Sequence, residues 1–177
     1  MNLLENELVK LRSLEPIDLD LLFSIENDTQ NWEVSNTLVP FSRDVLSKYL
    51  KNAHQDLYEA KQLRLVITRK SDGLIVGLID LFDFNPQHER AGIGILILDK
   101  YQRKGYAQST LELFLKYAFE HLDLHQIYAN IPVDNKSSLA LFSKINFKEI
   151  GVKKSWIKVK GNFKDVVILQ ILNPKHT

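Results

Sequence analysis

Gln102-Arg103-Lys104-Gly105-Tyr106-Ala107 separates an apolar run, Ala91 to Leu98, from an amphipathic stretch that begins at Gln108. A turn between a strand and a helix gathers unpaired backbone N–H groups at the positive end of the helix dipole, where an anion is stabilised. Two readings fit: a phosphate-binding turn, or an ordinary strand-to-helix connection in which Gly105 serves only the turn geometry. The nucleotide-binding patterns G-x-x-x-x-G-K-S/T and G-x-G-x-x-G are not formed by this stretch.

Upstream, Val9, Leu11 and Ser13 alternate with Lys10 and Arg12 as in a short strand. Pro16 then precedes Ile17, Leu21, Leu22 and Ile25 at helical spacing. Residues 27–40 carry no clear period, contain Trp32 and Glu33, and are long enough to line a site. Ser42 suits the cap of a second helix with Val45, Leu46, Tyr49, Leu50 and Ala53 on one face. Strands are expected over Leu63 to Arg69 and Leu74 to Phe84, joined at Ser71-Asp72-Gly73. The Arg90 to Leu98 strand loses its alternation towards the end, as a centrally buried strand does.

Downstream, Leu111, Phe114, Leu115, Ala118 and Leu122 recur at the spacing of an amphipathic helix that packs on a sheet. Ile127, Ala129, Ile131 and Val133 alternate as a strand. Asp134-Asn135 caps a short helix from Ser137 to Ile145, which Asn146 closes in the left-handed conformation. Ser155 to Val159 and Phe163 to Leu172 flank Lys160-Gly161-Asn162 as a terminal hairpin. The order β, α, α, three strands, α, β, α, β, β predicts a mixed α/β fold in one domain over residues 1–177.

Composition narrows the function classes. A chain of 177 residues with 45% hydrophobic and 25% charged residues builds a core without disulfides or metal. A net charge of +1 argues against nucleic acid or an anionic membrane as partner. The absence of cysteine excludes thiolate metal sites and a Cys nucleophile, and suits a reducing cytoplasm. The acidic opening from Met1 to Glu7 is unlike a signal peptide, and no apolar run approaches the roughly 20 residues that span a bilayer, so a cytoplasmic location is expected. His121 and His125 have an i, i+4 spacing that can hold a metal, but no third ligand stands nearby and no metal is expected.

The form Q-x-x-G-x-A resembles the pyrophosphate turn of the GCN5-related N-acetyltransferase (GNAT) family, and the element order is similar to that family's over nearly the whole chain. Val9-Lys10-Leu11-Arg12-Ser13-Leu14-Glu15-Pro16-Ile17-Asp18 resembles the opening of the subgroup containing ribosomal-protein N-terminal acetyltransferases and spermidine N-acetyltransferase. Asn135-x-x-Ser138, Asn146-Phe147 and Gly161-Asn162-Phe163-Lys164-Asp165-Val166 resemble its downstream segments. The resemblance implies a central, mostly antiparallel sheet flanked by helices and direct transfer of acetyl from acetyl-CoA to a primary amine of a small molecule or peptide, in a ternary complex that releases CoA. It places the cofactor arm on Ile95, Leu96 and Ile97, its pyrophosphate on Gln102, Arg103, Lys104, Gly105, Tyr106, Ala107 and Gln108, and further contacts at Asn135 and Ser138. A homodimer is compatible with it.

The chemistry needs a base, because an amine of ordinary pKa is free base in only roughly one molecule in a thousand at neutral pH. It also needs polarisation of the thioester oxygen, expected from a strand N–H near Ile97, and a donor for the departing thiolate. The family's donor tyrosine falls on Phe142, which has no proton to give, so Ser138 is the replacement candidate; a helix serine with only a local backbone bond is its other reading. Where the subgroup often has an acid, this chain has Gly92, which counts against spermidine as acceptor. Glu89, Asp80 and Asp83 are the alternative bases, with a water chain from Glu33 also open. Asp80 and Asp83 are expected on opposite faces of a regular strand, so that only one reaches the site. Trp32, Glu33 and His88 are candidates for acceptor binding. The departures at Phe142 and Gly92 motivate a second reading, a non-catalytic module that binds acyl-CoA; a third is a scaffold that uses the terminal hairpin as an edge and needs no cofactor.

Overall fold

The computed structural model describes residues 2–177; Met1 lies outside it. Seven strands make one sheet in the order β1-β2-β3-β4-β5-β7-β6. They are β1 Val9–Ser13, β2 Leu63–Arg69, β3 Ile75–Asn85, β4 Arg90–Ile97, β5 Gln126–Pro132, β6 Lys148–Val159 and β7 Asn162–Leu172. The β2–β3, β3–β4, β5–β7 and β6–β7 ladders are antiparallel, and β4–β5 is parallel. The helices are α1 Leu19–Glu26, α2 Trp32–Ser35, α3 Arg43–Lys51, α4 Leu57–Ala60, α5 Tyr106–Glu120 and α6 Lys136–Lys144.

Two compact units divide the chain. The larger joins the residues up to Arg12 with Leu57–Thr177, and the smaller is Ser13–Asp56. In the larger unit the expected 3.6-residue stripe of α5 is buried: Leu111, Phe114 and Ala118 are fully buried in one cluster with Ile79, Ile93, Ile127 and Ala129 of the sheet. Burying Phe114 alone stabilises the fold by about 2–3 kcal/mol. The clean alternation of β5 has the same cause, because odd positions from Ile127 to Ile131 enter this core and even positions face away from it.

In the smaller unit α1 and α3 pack together, with Leu22, Ile25, Leu46 and Leu50 buried. Ser42 caps α3 by accepting the Val45 N–H at 3.1 Å, as its type and place predict. The expected face of the first helix begins differently. Pro16–Asp18 is a 3-10 turn, which leaves Ile17 85% exposed and turns Asp18 inward to accept the Glu15 N–H at 2.8 Å. The tighter turn rotates side chains by about 120° per residue rather than 100°, so the α-helical spacing that includes Ile17 does not hold there. Val45 likewise lies half exposed, at 50%.

Two further boundaries and two short helices depart from the sequence reading. α5 starts at Tyr106 rather than Gln108, because the left-handed Gly105 caps it directly. β6 starts at Lys148 rather than Ser155; register shifts at Glu149/Gly151 and Lys153/Ile157 break the two-residue alternation by which a strand is recognised. The four-residue helices α2 and α4 are too short to show a period. The hairpin turns follow expectation, with Gly73 at φ +74°, Lys160 at +48° and Gly161 at +84°.

Candidate active site

The Gln102 to Gln108 turn is built by two left-handed residues, Arg103 at φ +59° and Gly105 at +84°. Gly105 is the N-cap of α5, and its carbonyl already accepts the Ser109 N–H at 3.0 Å, so the N–H groups of the first helical turn have no carbonyl one turn back to bond. Gln102 anchors the entry by donating from Nε2 to the Ile97 carbonyl at 3.1 Å and to Asp99 Oδ1 at 3.2 Å. Around Tyr101 the cations Arg69, Lys100 and Lys104 lie 5.7, 4.9 and 5.9 Å from the ring centroid. Arg69 is further held by Asp72 and the Tyr106 hydroxyl, both of which raise its pKa. Tyr106 itself is buried against Tyr101, so only its backbone faces the turn. A Cβ built on Gly105 would approach only Leu8 Cδ2, at 4.0 Å, so the turn is open on that side.

The β4–β5 ladder has three rungs: Arg90 with Gln126, Ala91 with Ile127 and Gly92 with Tyr128. Beyond them β4 stays paired to β3 as far as Ile97, and β5 stays paired to β7 as far as Pro132. The facing edges, residues 93–97 and 129–132, therefore diverge with no rungs between them. Burial follows the divergence, since Ala91, Gly92 and Ile93 are buried while Gly94, Ile95, Leu96 and Ile97 are only partly so. Two strand edges with backbone donors and acceptors, leading to an open helix N-terminus among cations, fit a long ligand that carries amides at one end and phosphate at the other. An acyl-CoA has that make-up.

At the apex of the divergence lies a polar and aromatic patch. The Tyr128 hydroxyl donates to Asp83 Oδ2 at 2.8 Å, and its ring meets Phe82 edge-on at 6.1 Å. Burial and the Asp83 carboxylate push the Tyr128 pKa up to about 12. Phe82 lies over Gly92; a Cβ added there would stand 2.4 Å from the Phe82 ring. The expectation that Asp80 and Asp83 face opposite sides is incorrect. β3 has one residue more than β4 between the Phe82–Gly92 and Asn85–Arg90 rungs, and Asp83 takes φ +51° there. This bulge resets the alternation, so both carboxylates stand on the Gly92 face. Asp80 is occupied by Arg64, whose Nε and Nη2 donate to it at 2.5 and 3.3 Å.

Asn135 caps α6 by accepting the Ser138 N–H at 3.2 Å, while Ser137 Oγ donates to the same oxygen at 3.2 Å. Ser138 is partly buried in the first turn. Phe142 is 4% exposed and packs on Phe147 with centroids 4.9 Å apart, so that position belongs to the core.

The other candidates lie apart from this patch or in the smaller unit. The Glu89 carboxylate is 3.9 Å from His176 Nδ1, on the cluster where His176 also meets Asp123 at 3.1 Å and stacks on His125. It is not brought to Asp83. His121 stacks on Tyr117, so the two histidines of the i, i+4 pair have separate partners. His88 is exposed, and its backbone N–H is held by Asn85 Oδ1 at 3.0 Å. In the smaller unit Trp32 opens α2 and donates from Nε1 to the Glu26 carbonyl at 2.8 Å; Glu33 follows it, partly buried. The sequence reading missed Tyr128 and Phe82. The signal for Tyr128 was present, since Ile127, Ala129 and Ile131 mark the core face and so assign Tyr128 to the other.

Known proteins resemble this chain in sequence and fold. Residues 9–148 match the family model described as an acetyltransferase (GNAT) domain. The chain is 25% identical to spermidine N(1)-acetyltransferase of Vibrio cholerae, over 97% of this chain and 96% of that protein. It is 26% identical to the Escherichia coli K12 enzyme of the same name, over 95% and 88%. The structure superposes on spermidine N-acetyltransferase from Vibrio cholerae in complex with CoA and spermine with a TM-score of 0.86 and 28% identity, covering 97% and 99% of the two chains. The diverging strands, the anion-ready turn and the family match agree: this chain belongs to the GNAT family and is an acetyl-CoA-dependent N-acetyltransferase that acts on an amine.

Proposed function

We propose that acetyl-CoA lies between the diverging edges of β4 and β5, with backbone groups of Ile95, Leu96 and Ile97 pairing with its amides. Its pyrophosphate then rests on N–H groups from Gln102 to Gln108, including those of Tyr106 and Ala107, with charge from Arg103 and Lys104. The three-rung β4–β5 ladder that ends at Gly92–Tyr128 carries this reading, because a continuous ladder would leave no edge for a ligand.

Bound acetyl-CoA supplies an acetyl group activated as a thioester. Asp83 accepts the proton of the acceptor ammonium, and Tyr128 orients that carboxylate through its hydroxyl. Ser138 Oγ offers a proton to the departing sulfur, and Asn135 holds the start of α6 beside it. Glu89 is the weaker alternative base because His176 already engages it. Transfer is direct in a ternary complex, which suits a chain without cysteine. His88 is a proposed acceptor contact. Residues 1–177 act as one acetyltransferase domain in the cytoplasm; relatives matched over almost their whole length support the domain, and no helix among the described residues is long and apolar enough to cross a membrane. Self-association is proposed from a relative, since a Vibrio cholerae spermidine N-acetyltransferase is dodecameric.

Thermal unfolding with and without acetyl-CoA tests the binding reading. Saturation at about a hundred times Kd adds roughly 2.7 kcal/mol, seen as a raised Tm. No shift with acetyl-CoA or CoA overturns it.

A further inference from the structure

The apex of the site carries few unpaired carboxylates, while the matched relatives include enzymes named for a polyamine. Strand register and hydrogen bonding put Arg64, Asp80, Phe82, Asp83, Arg90, Gly92 and Tyr128 on one face. Asp80 is neutralised by the two-pronged Arg64 contact. Asp83 is the remaining carboxylate of this group, and the Arg90 cation is near enough to oppose the rise in the Tyr128 pKa. Further along the same face Lys153 donates from Nζ to Asn130 Oδ1 at 3.1 Å. A polyamine brings several ammonium groups and needs several unpaired carboxylates; here the carboxylate left in this group shares its face with the cations Arg90 and Lys153.

Aromatic surface takes the place of charge. The Phe82 ring covers Gly92 so closely that no side chain fits at that position unless Phe82 moves. Together with the edge-on Tyr128 it walls the ground beside Asp83. An ammonium finds one carboxylate there, and the carbon skeleton behind it finds two rings.

We propose that the acceptor is a primary amine with a single positive charge on an apolar or aromatic body, bound with its ammonium at Asp83 and its body on Phe82 and Tyr128, and that Phe82 is the residue that excludes polyamines. This rests on the acetyltransferase reading above. It extends that reading by setting this chain apart from the spermidine enzymes it resembles.

The test compares 2-phenylethylamine with spermidine at saturating acetyl-CoA, following CoA release and confirming the acetylated amine by mass. The expected kcat/KM for 2-phenylethylamine is at least about tenfold the higher, a difference within reach of apolar contacts and one misplaced charge. Equal rates or a preference for spermidine overturn the proposal, as does transfer to neither while acetyl-CoA still raises the Tm. Failure of acetyl-CoA to raise the Tm is a different result, which removes the binding reading and this inference with it. The double variant Phe82→Ala/Gly92→Glu supplies the reciprocal check. Its ratio of spermidine to 2-phenylethylamine activity should rise at least about tenfold, with the acetyl-CoA thermal shift retained. A retained shift with an unchanged ratio removes Phe82 from specificity.

Discussion

Tyr128 on β5 reaches over Gly92 on β4 to donate a 2.8 Å hydrogen bond to Asp83 on β3, joining three strands at the point where β4 and β5 part. Glycine at position 92 leaves room for the Phe82 ring that Tyr128 meets edge-on, and the bulge at Asp83 supplies the carboxylate.

That contact has a signature at high pH. Tyr128 titrates near 12 in the folded protein against about 10 for an unfolded tyrosine, so its contribution to stability is complete below pH 10 and is lost as pH rises from about 10 to about 12. Tyr128→Phe should remove one late-titrating phenol from the ultraviolet absorbance profile. It should also cost about 1 kcal/mol or less at neutral pH, because Asp83, the accepting partner, is solvent-exposed. A profile unchanged by the substitution counts against the assignment.

Asp83→Asn keeps the shape of the patch and removes its proposed base, so kcat should fall by about 10² to 10⁴ while Kd for acetyl-CoA holds. Ser138→Ala should lower kcat by less, because a thiolate leaves tolerably without a donor. Steady-state kinetics separates the two. An unchanged kcat in either variant removes that residue from proton transfer.

Gly77→Ala should damage the fold more than other glycine substitutions. Its Cβ would fall 2.1 Å from the Leu96 carbonyl oxygen, a backbone atom in the neighbouring strand that cannot swing aside. A loss of about 3 kcal/mol or more is expected in urea unfolding. Gly73→Ala, with open space but φ +74°, should cost only about 1 kcal/mol.

At the turn, Gly105→Ala meets open space but must hold φ +84°, so it should cost about 1 kcal/mol of stability and weaken acetyl-CoA binding with it. Lys104→Ala and Arg103→Ala should weaken binding in a salt-dependent way, the effect shrinking as ionic strength rises. Calorimetric titration with CoA at low and high salt checks both; a salt-independent loss points to a structural effect instead.

Thr110 is fully buried in α5, and its hydroxyl has no hydrogen-bond partner among the described residues. Thr110→Val replaces that hydroxyl with a methyl of similar size. A gain of about 1 kcal/mol is expected, or roughly 2–4 °C in Tm for a chain of this length. A lower Tm would show that the hydroxyl is satisfied in solution.

Local sequence determined the elements that answer to local physics. The stripe from Leu111 to Ala118, the Ser42 cap, the glycine turns and the alternation of Ile127, Ala129 and Ile131 were all legible, since each depends on spacing or on one residue's backbone preference. The Gln102 to Gln108 turn was legible for the same reason, and so was the order of elements that marks the family. Tertiary structure alone decided which side chains meet. Asp80 and Asp83 share a face because one extra residue in β3 has no counterpart in β4, a mismatch between strands that neither strand shows by itself. The Phe82 ring over Gly92 and the Tyr128 bond to Asp83 connect residues up to 45 positions apart, so their contacts follow from register. The charge count behind the proposed acceptor class likewise depends on Arg64 reaching Asp80 across a strand pair.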